Sequence, residues 1–208
     1  MGDPFGLYLV MTAPVAGYDA CAVAAVRCGV RYLQLRMKEA HRDDFLETAR
    51  RVREITLGSD TLFIVNDDVT IAREVDADGV HLGQLDLPID EARSLWTAPG
   101  KRFGLSTHNE EQALLASRLS PDYIGVGPVF ATPTKAVPDP VLGIERMGAI
   151  VRSSPVAVVA IGGIDGGNLA EVLRRGARNF CVVRAVNRRA DPEPAIRELQ
   201  RIWRREIL

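Results

Sequence analysis

Short apolar runs recur along the chain at regular intervals. Leu7–Met11, Val30–Arg36, Leu62–Asn66, Gly79–Leu82, Arg102–Ser106, Tyr123–Val126, Val156–Ile161 and Asn179–Val183 are rich in Val, Ile and Leu and show no clean alternation with polar residues. Such runs predict strands of a parallel sheet, which are buried on both faces. Amphipathic stretches lie between them. Within Asp43–Leu57, the residues Phe45, Leu46, Ala49, Val52 and Ile55 fall near one helical face. Asn109–Leu119 opens on a capping residue and carries Glu110, Glu111 and Gln112 in its first turn. Asp165–Arg175 stops before Gly176, and about Glu193–Arg205 aligns Ile196, Leu199 and Trp203 on one stripe. Shorter helices are predicted over Asp19–Arg27, Asp68–Glu74, Ile89–Trp96 and Gly143–Arg152.

A strand–helix unit repeated eight times implies a parallel sheet with helices outside it. Eight units predict a closed (β/α)8 TIM barrel, and 208 residues is near the lower size of that fold, about 200. An open doubly wound sheet is the structural rival. It is disfavoured because no Gly-x-Gly-x-x-Gly follows the first strand. No linker or low-complexity tract interrupts the chain, so residues 1–208 are expected to form a single α/β domain. One connection is long: Gly127–Leu142 contains Pro128, Pro133, Pro138 and Pro140. A loop of that length in a small barrel is usually functional.

Composition narrows the class of function. Hydrophobic residues make up 47% and charged residues 25%, the balance of an ordinary globular protein. The formal net charge is −1, which gives no electrostatic support for nucleic acid or an anionic membrane as partner. No apolar run approaches the ~20 residues of a membrane span. Met1-Gly2-Asp3-Pro4-Phe5 has neither the basic nor the apolar region of a signal peptide. Three cysteines, Cys21, Cys28 and Cys181, argue against a disulfide framework and for a reducing, cytoplasmic location. None has the spacing of a zinc site. The sequence sets no oligomeric state.

In a (β/α)8 barrel, chemistry sits at the C-terminal ends of the strands. Those ends are polar here. Strand two ends Gln34-Leu35-Arg36-Met37-Lys38, strand three Asn66-Asp67-Asp68, and strand four His81-Leu82-Gly83-Gln84-Leu85-Asp86. Strand five ends Ser106-Thr107-His108-Asn109, and Thr132-Pro133-Thr134-Lys135 follows strand six. Gly162-Gly163 ends strand seven and Val183-Arg184 ends strand eight. Each has a plain structural alternative. Asn66-Asp67 and the Ser106–Asn109 run suit helix caps, His81 suits a satisfied core histidine, and the glycine pair suits tight packing. Their coincidence on one rim favours a site.

The residue types suggest its chemistry. Arg36, Lys38 and Lys135 supply cationic donors and Gln34, Asn66 and Ser106 neutral ones, a set that suits a diphosphate. Asp67 and Asp86 would repel such an anion unless a cation lies between, and a pair of carboxylates plus phosphate oxygens is a common way to hold Mg²⁺. Backbone N–H groups at Gly163 and Arg184 match the phosphate site found after strands seven and eight of such barrels. A diphosphate–Mg²⁺ site beside a monophosphate site implies a transferase that joins two small-molecule substrates with diphosphate as leaving group. None of the cysteines falls on a strand end, so thiol catalysis has no support. His108 is a candidate base or a residue that shapes its loop.

With these motifs the chain resembles the thiamine-phosphate synthase family from Leu7-Tyr8-Leu9-Val10 to Val183-Arg184-Ala185-Val186. The resemblance is carried by Gln34–Lys38, Asn66-Asp67, Gly79–Pro88, Gly104–Asn109, Thr132–Lys135 and Ile161–Ile164, in that order. It implies condensation of an aminopyrimidine methyl diphosphate with a thiazole monophosphate, or its 2-carboxy form, to thiamine monophosphate and diphosphate. It also implies a dissociative mechanism, in which diphosphate leaves before the thiazole nitrogen captures the pyrimidine cation. Gln34, Arg36, Lys38, Asn66, Ser106 and Lys135 would contact the pyrimidine diphosphate, with Leu35 and Met37 in the same motif. Asp67 and Asp86 would hold Mg²⁺. Thr132, Pro133, Thr134, Gly163, Val183 and Arg184 would bind the thiazole phosphate. Lys135, Ser106 and Arg36 are the expected catalytic residues. Two positions depart from the family pattern. Met37 stands where many members have an acid, and alternation points it away from Arg36. Arg184 stands where Ser is frequent. A thiazole tautomerase of the same barrel family and a non-catalytic phosphate-binding protein are the alternatives.

Overall fold

A computed structural model describes residues 4–134 and 139–207. The eight strands are β1 (Gly6–Met11), β2 (Tyr32–Leu35), β3 (Leu62–Asn66), β4 (Gly79–Leu82), β5 (Arg102–Thr107), β6 (Tyr123–Val126), β7 (Ala157–Ala160) and β8 (Asn179–Val182). Each pairs in parallel with its neighbours, and β8 pairs with β1, which closes the barrel. The helices are α1 (Tyr18–Arg27), α2 (Arg42–Thr56), α3 (Val69–Glu74), α4 (Ile89–Leu95), α5 (Glu110–Arg118), α6 (Ile144–Ser153), α7 (Leu169–Arg174), α8 (Arg184–Asn187) and α9 (Glu193–Ile207).

Two apolar layers explain why the strands lack visible alternation. One face of each strand packs against the helices: Leu7, Leu9 and Met11 of β1 and Leu33 and Leu35 of β2 join the helix-facing core. The other face fills the barrel interior with Tyr8, Val10, Tyr32, Ile64, Tyr123, Val159 and Cys181. Both faces are therefore apolar, and each large side chain so buried contributes about 1.5–3 kcal/mol. Phe45, Leu46, Ala49 and Val52 of α2 are buried as their spacing predicts. On α9, Ile196, Leu199 and Ile202 are buried, and Trp203 Nε1 donates to the Arg178 carbonyl at 2.8 Å.

Asparagines tie the β8–β1 seam at both ends. At the bottom, Asn179 Oδ1 accepts from the N–H groups of Phe5 and Gly6 at 2.8 and 3.2 Å. At the top, Asn187 Oδ1 accepts from Thr12 N–H at 2.9 Å, and its Nδ2 donates to the carbonyls of Val10 and Val183 at 2.8 and 2.7 Å. This second clasp fixes α8, the short helix after β8, against the rim.

The expected helix over Asp165–Arg175 begins later, at Leu169. Asp165 and Asn168 instead bond the intervening backbone: Gly167 N–H donates to Asp165 Oδ1 at 2.9 Å and Asp165 N–H to Asn168 Oδ1 at 3.0 Å. Side chains that accept from nearby N–H groups compete with a helical turn in this way.

Candidate active site

A cavity of about 1310 Å³ opens at the C-terminal ends of the strands. The alternation of β2 decides which residues of its motif reach it. Tyr32 faces the interior. The same parity carries Gln34, Arg36 and Lys38 to the cavity, and all three line it. Leu35 is fully buried in the helix-facing core, and Met37 packs against that core. Their side chains therefore stand on the opposite face from the cavity, and of the motif Gln34-Leu35-Arg36-Met37-Lys38 only alternate members present side chains to it.

The end of β3 separates two adjacent acids by function. Asp68 caps α3, its Oδ1 accepting from Thr70 and Ile71 N–H at 2.8 and 2.9 Å. Asp67, one residue earlier, is free of that duty. Its φ of 65° puts it in the left-handed region, uncommon for any residue but glycine. There its carboxylate meets Lys38 Nζ at 2.5 Å and faces the carboxylate of Asp86. Burial and the neighbouring Asp86 carboxylate push the Asp67 carboxyl up to about 6. Asp86 is held below the ordinary range by its interaction with the Asp67 carboxyl and by Gly83 N–H, which donates to its Oδ2 at 2.6 Å. Two carboxylates in contact form an excess of negative charge that a cation would relieve. No cluster of three potential metal ligands occurs among the described residues. The donor set is thus two carboxylates, the number that suits a cation completed by phosphate oxygens and water.

Ser106 on β5 lines the cavity and its Oγ lies 2.8 Å from His81 Nε2. Asn66 is buried at the end of β3, beside His81 in the strand register. Thr107 points away and donates to the Gly125 carbonyl at 3.0 Å, while Asn109 caps α5 through Gln112 N–H at 2.8 Å. His108 Nδ1–H donates to the Gly127 carbonyl at 2.8 Å and lies 3.6 Å from Asp139 Oδ2. It thereby touches both arms of the loop between β6 and α6.

The outgoing arm of this loop is pinned to the end of β7. Val129 N–H donates to the Ile161 carbonyl at 2.9 Å and Phe130 N–H to the Gly162 carbonyl at 3.0 Å. Thr132, Pro133 and Thr134 line the cavity, and the two threonine hydroxyls are 2.9 Å apart. Lys135 lies outside the described residues. Gly163 has φ +67°, and a Cβ there would sit 2.7 Å from Phe130 Cβ and 2.9 Å from the Ala131 carbonyl oxygen. The glycine pair is thus required by close packing of the loop as well as by an open rim. Gly163, Val183 and Arg184 line the cavity on this side, together with Arg188 and Arg189.

Sequence reasoning did not single out Arg188, Arg189, Tyr8 or Tyr123. The first two recur one helical turn after Arg184, a spacing visible in the sequence. The tyrosines sit within apolar strand runs, and only strand parity marks them as interior. The three cysteines are free and buried, and burial pushes their thiols up, Cys21 to about 12. Such thiols are poor nucleophiles.

The sequence profile of a family described as thiamine monophosphate synthase matches residues 7–186. A thiamine-phosphate synthase of Synechocystis sp. is 46% identical over 193 residues, which cover 93% of this chain and 55% of that longer protein. One of Archaeoglobus fulgidus is 43% identical over 188 residues, covering 90% of this chain and 88% of the relative. The solved structure of a thiamine phosphate pyrophosphorylase from Pyrococcus furiosus superposes with a TM-score of 0.86 at 35% identity, covering 98% of each chain. The matched span runs from β1 to α8 and takes in every strand end described above, so the chain belongs to the thiamine monophosphate synthase family and is a transferase of thiamine biosynthesis.

Proposed function

We propose that the chain joins an aminopyrimidine methyl diphosphate to a thiazole monophosphate and releases diphosphate and thiamine monophosphate; from the 2-carboxy form of the thiazole the same products require loss of CO2 as well. The observation that carries this reading is the division of one rim into two unlike halves. Lys38 meets Asp67 of the Asp67–Asp86 pair on one side, and Arg36 lines the cavity from the same face of the β2 motif. Gly163, Arg184 and the threonines of the β6 loop stand on the other. A tautomerase or a phosphate-binding protein acting on a single monophosphate has no use for the first half.

In this reading Gln34, Arg36, Lys38, Asn66, Ser106 and Lys135 contact the pyrimidine diphosphate. The C–O bond to the diphosphate breaks first, and its electron pair departs with the leaving group. Preorganised donors aimed at that developing charge lower the barrier. The thiazole nitrogen then donates its lone pair to the methylene carbon and forms the new C–N bond. Thr132, Pro133, Thr134, Gly163, Val183 and Arg184 hold the thiazole phosphate in line for that attack. Asp67 and Asp86 would hold Mg²⁺. Bound there, the ion would neutralise charge on the departing diphosphate. No described helix is long and apolar enough to cross a membrane. With sparse, unpaired cysteines, the chain is proposed to work in the cytoplasm on small molecules.

Separate titrations of the two substrates test the division. Arg36→Ala is expected to weaken the pyrimidine diphosphate about tenfold or more and leave the thiazole phosphate within about twofold, as loss of one charge-assisted contact implies. Gly163→Val is expected to do the reverse. A β-branched residue in the left-handed region, pressed against Phe130, carries strain on the order of 1–3 kcal/mol that displaces the phosphate-binding segment. Loss of diphosphate affinity alone in Gly163→Val would refute the division.

A further inference from the structure

Four hydrogen bonds run in series across the floor of the cavity, among residues that line it. Gln34 Nε2 donates to Tyr8 Oη at 2.9 Å, and the Tyr8 and Tyr123 hydroxyls are 2.7 Å apart. The Tyr123 hydroxyl is 3.2 Å from His81 Nδ1, and His81 Nε2 is 2.8 Å from Ser106 Oγ. Gln34, Tyr8, Tyr123 and His81 are all buried. The series therefore links β2 to β5 through β1, β6 and β4, with a substrate-facing residue at each end.

The chemistry of the groups sets its direction. The amide nitrogen of Gln34 only donates, so the Tyr8 oxygen accepts. The Tyr8 O–H then needs an acceptor of its own, because a buried hydroxyl hydrogen left unpaired is costly. The Tyr123 oxygen is the acceptor in reach. The Tyr123 O–H passes the same requirement to His81 Nδ1. With Nδ1 accepting, the imidazole carries its proton on Nε2 and donates to Ser106 Oγ. Burial raises both phenols well above their ordinary range, so each remains an intact O–H. Tyr123 also stacks on His81, with ring centroids 5.6 Å apart and planes at 17°. β5 leaves space for the tyrosine: a Cβ at Gly104 would fall 2.2 Å from Tyr123 Cζ.

We propose that Tyr8 and Tyr123 are positioning residues whose aligned hydroxyls hold His81 as its neutral Nε2–H tautomer, presenting Ser106 to the cavity as a hydrogen-bond donor and Gln34 as an acceptor. The consequence for turnover rests on the reading that Gln34 and Ser106 contact the pyrimidine diphosphate, and it places Ser106 at the departing diphosphate and Gln34 at the aminopyrimidine. A hydroxyl that donates outward stabilises a developing oxyanion, whereas one turned inward presents lone pairs to it. An acceptor at Gln34 matches the exocyclic amine of an aminopyrimidine. The polarity of one buried series therefore suits both ends to opposite halves of the same substrate.

Long-range ¹H–¹⁵N spectra of the intact enzyme labelled with ¹⁵N-histidine read the tautomer directly, with His81→Gln identifying the signal. The expected result is Nε2–H in the wild type at neutral pH. Tyr123→Phe is expected to abolish that single-tautomer state and to lower kcat about tenfold, while KM for the pyrimidine diphosphate changes less than about twofold. An Nδ1–H tautomer or an imidazolium in the wild type overturns the inference, and that spectrum needs no variant to fold. An unchanged tautomer and kcat in a folded Tyr123→Phe also overturns it. A protein with the expected spectra that turns over neither substrate would refute the proposed reaction instead, leaving the alignment intact.

Discussion

Asp67→Asn is expected to lower kcat/KM about a thousandfold, the ~4 kcal/mol that loss of a positioned metal ligand removes from transition-state stabilisation. The backbone at Asp67 is held at φ 65°, and Asn tolerates that region nearly as well as Asp, so the variant keeps the loop and loses only charge. The carboxylate it removes touches both Lys38 and Asp86. Wild-type activity is expected to vanish in excess EDTA and return with Mg²⁺, while the residual activity of Asp67→Asn responds to neither. The pH dependence follows from the same contact. Burial and Asp86 push the Asp67 carboxyl up to about 6, so below that pH a cation must displace a proton. Apparent Mg²⁺ affinity should therefore be flat above about pH 6 and fall by up to about tenfold per pH unit below it. Full activity of Asp67→Asn in EDTA would remove the metal from the account.

Lys135→Ala is expected to lower kcat about a hundredfold, the ~3 kcal/mol typical of one lost donor to a developing oxyanion. The lysine follows Thr134 directly in the chain, within a connection carrying Pro133, Pro138 and Pro140. A cation that engages the diphosphate mainly as charge develops acts on kcat more than on KM. The affinity for thiazole phosphate should stay within about twofold. Steady-state kinetics with each substrate varied decides the matter. An effect on KM alone would make Lys135 a ground-state ligand, and changes below about twofold in both constants would make it a solvated side chain.

What the sequence made legible, and what it concealed, has a common physical origin. Strands buried on both faces are apolar throughout, so runs such as Leu62–Asn66 and Tyr123–Val126 announce themselves with their bounds. The same uniformity hides which residues face inward. Tyr8 and Tyr123 lie in such runs, and nothing local separates them from the helix-facing Leu9 and Ile124. At the rim the rule reverses, because a cavity tolerates charge, and Arg36, Lys38, Asp67, Asp86 and Ser106 stand out. Leu35 and Met37 belong to the same motif by sequence and to the opposite face by parity. His81 fits both of its sequence readings at once: it is a satisfied buried histidine, and the atom it bonds is Ser106 Oγ. The four-residue α8 is too short to show a helical period, although it caps the rim beside Arg184.

The central claim, that two phosphorylated substrates meet on this rim and part with diphosphate, is tested most directly by incubating the chain with both substrates and Mg²⁺. Thiamine monophosphate and diphosphate are then followed together. The account predicts that they appear in equal amounts and that omission of the thiazole phosphate abolishes the first. Consumption or isomerisation of the thiazole phosphate with no release of diphosphate would contradict it.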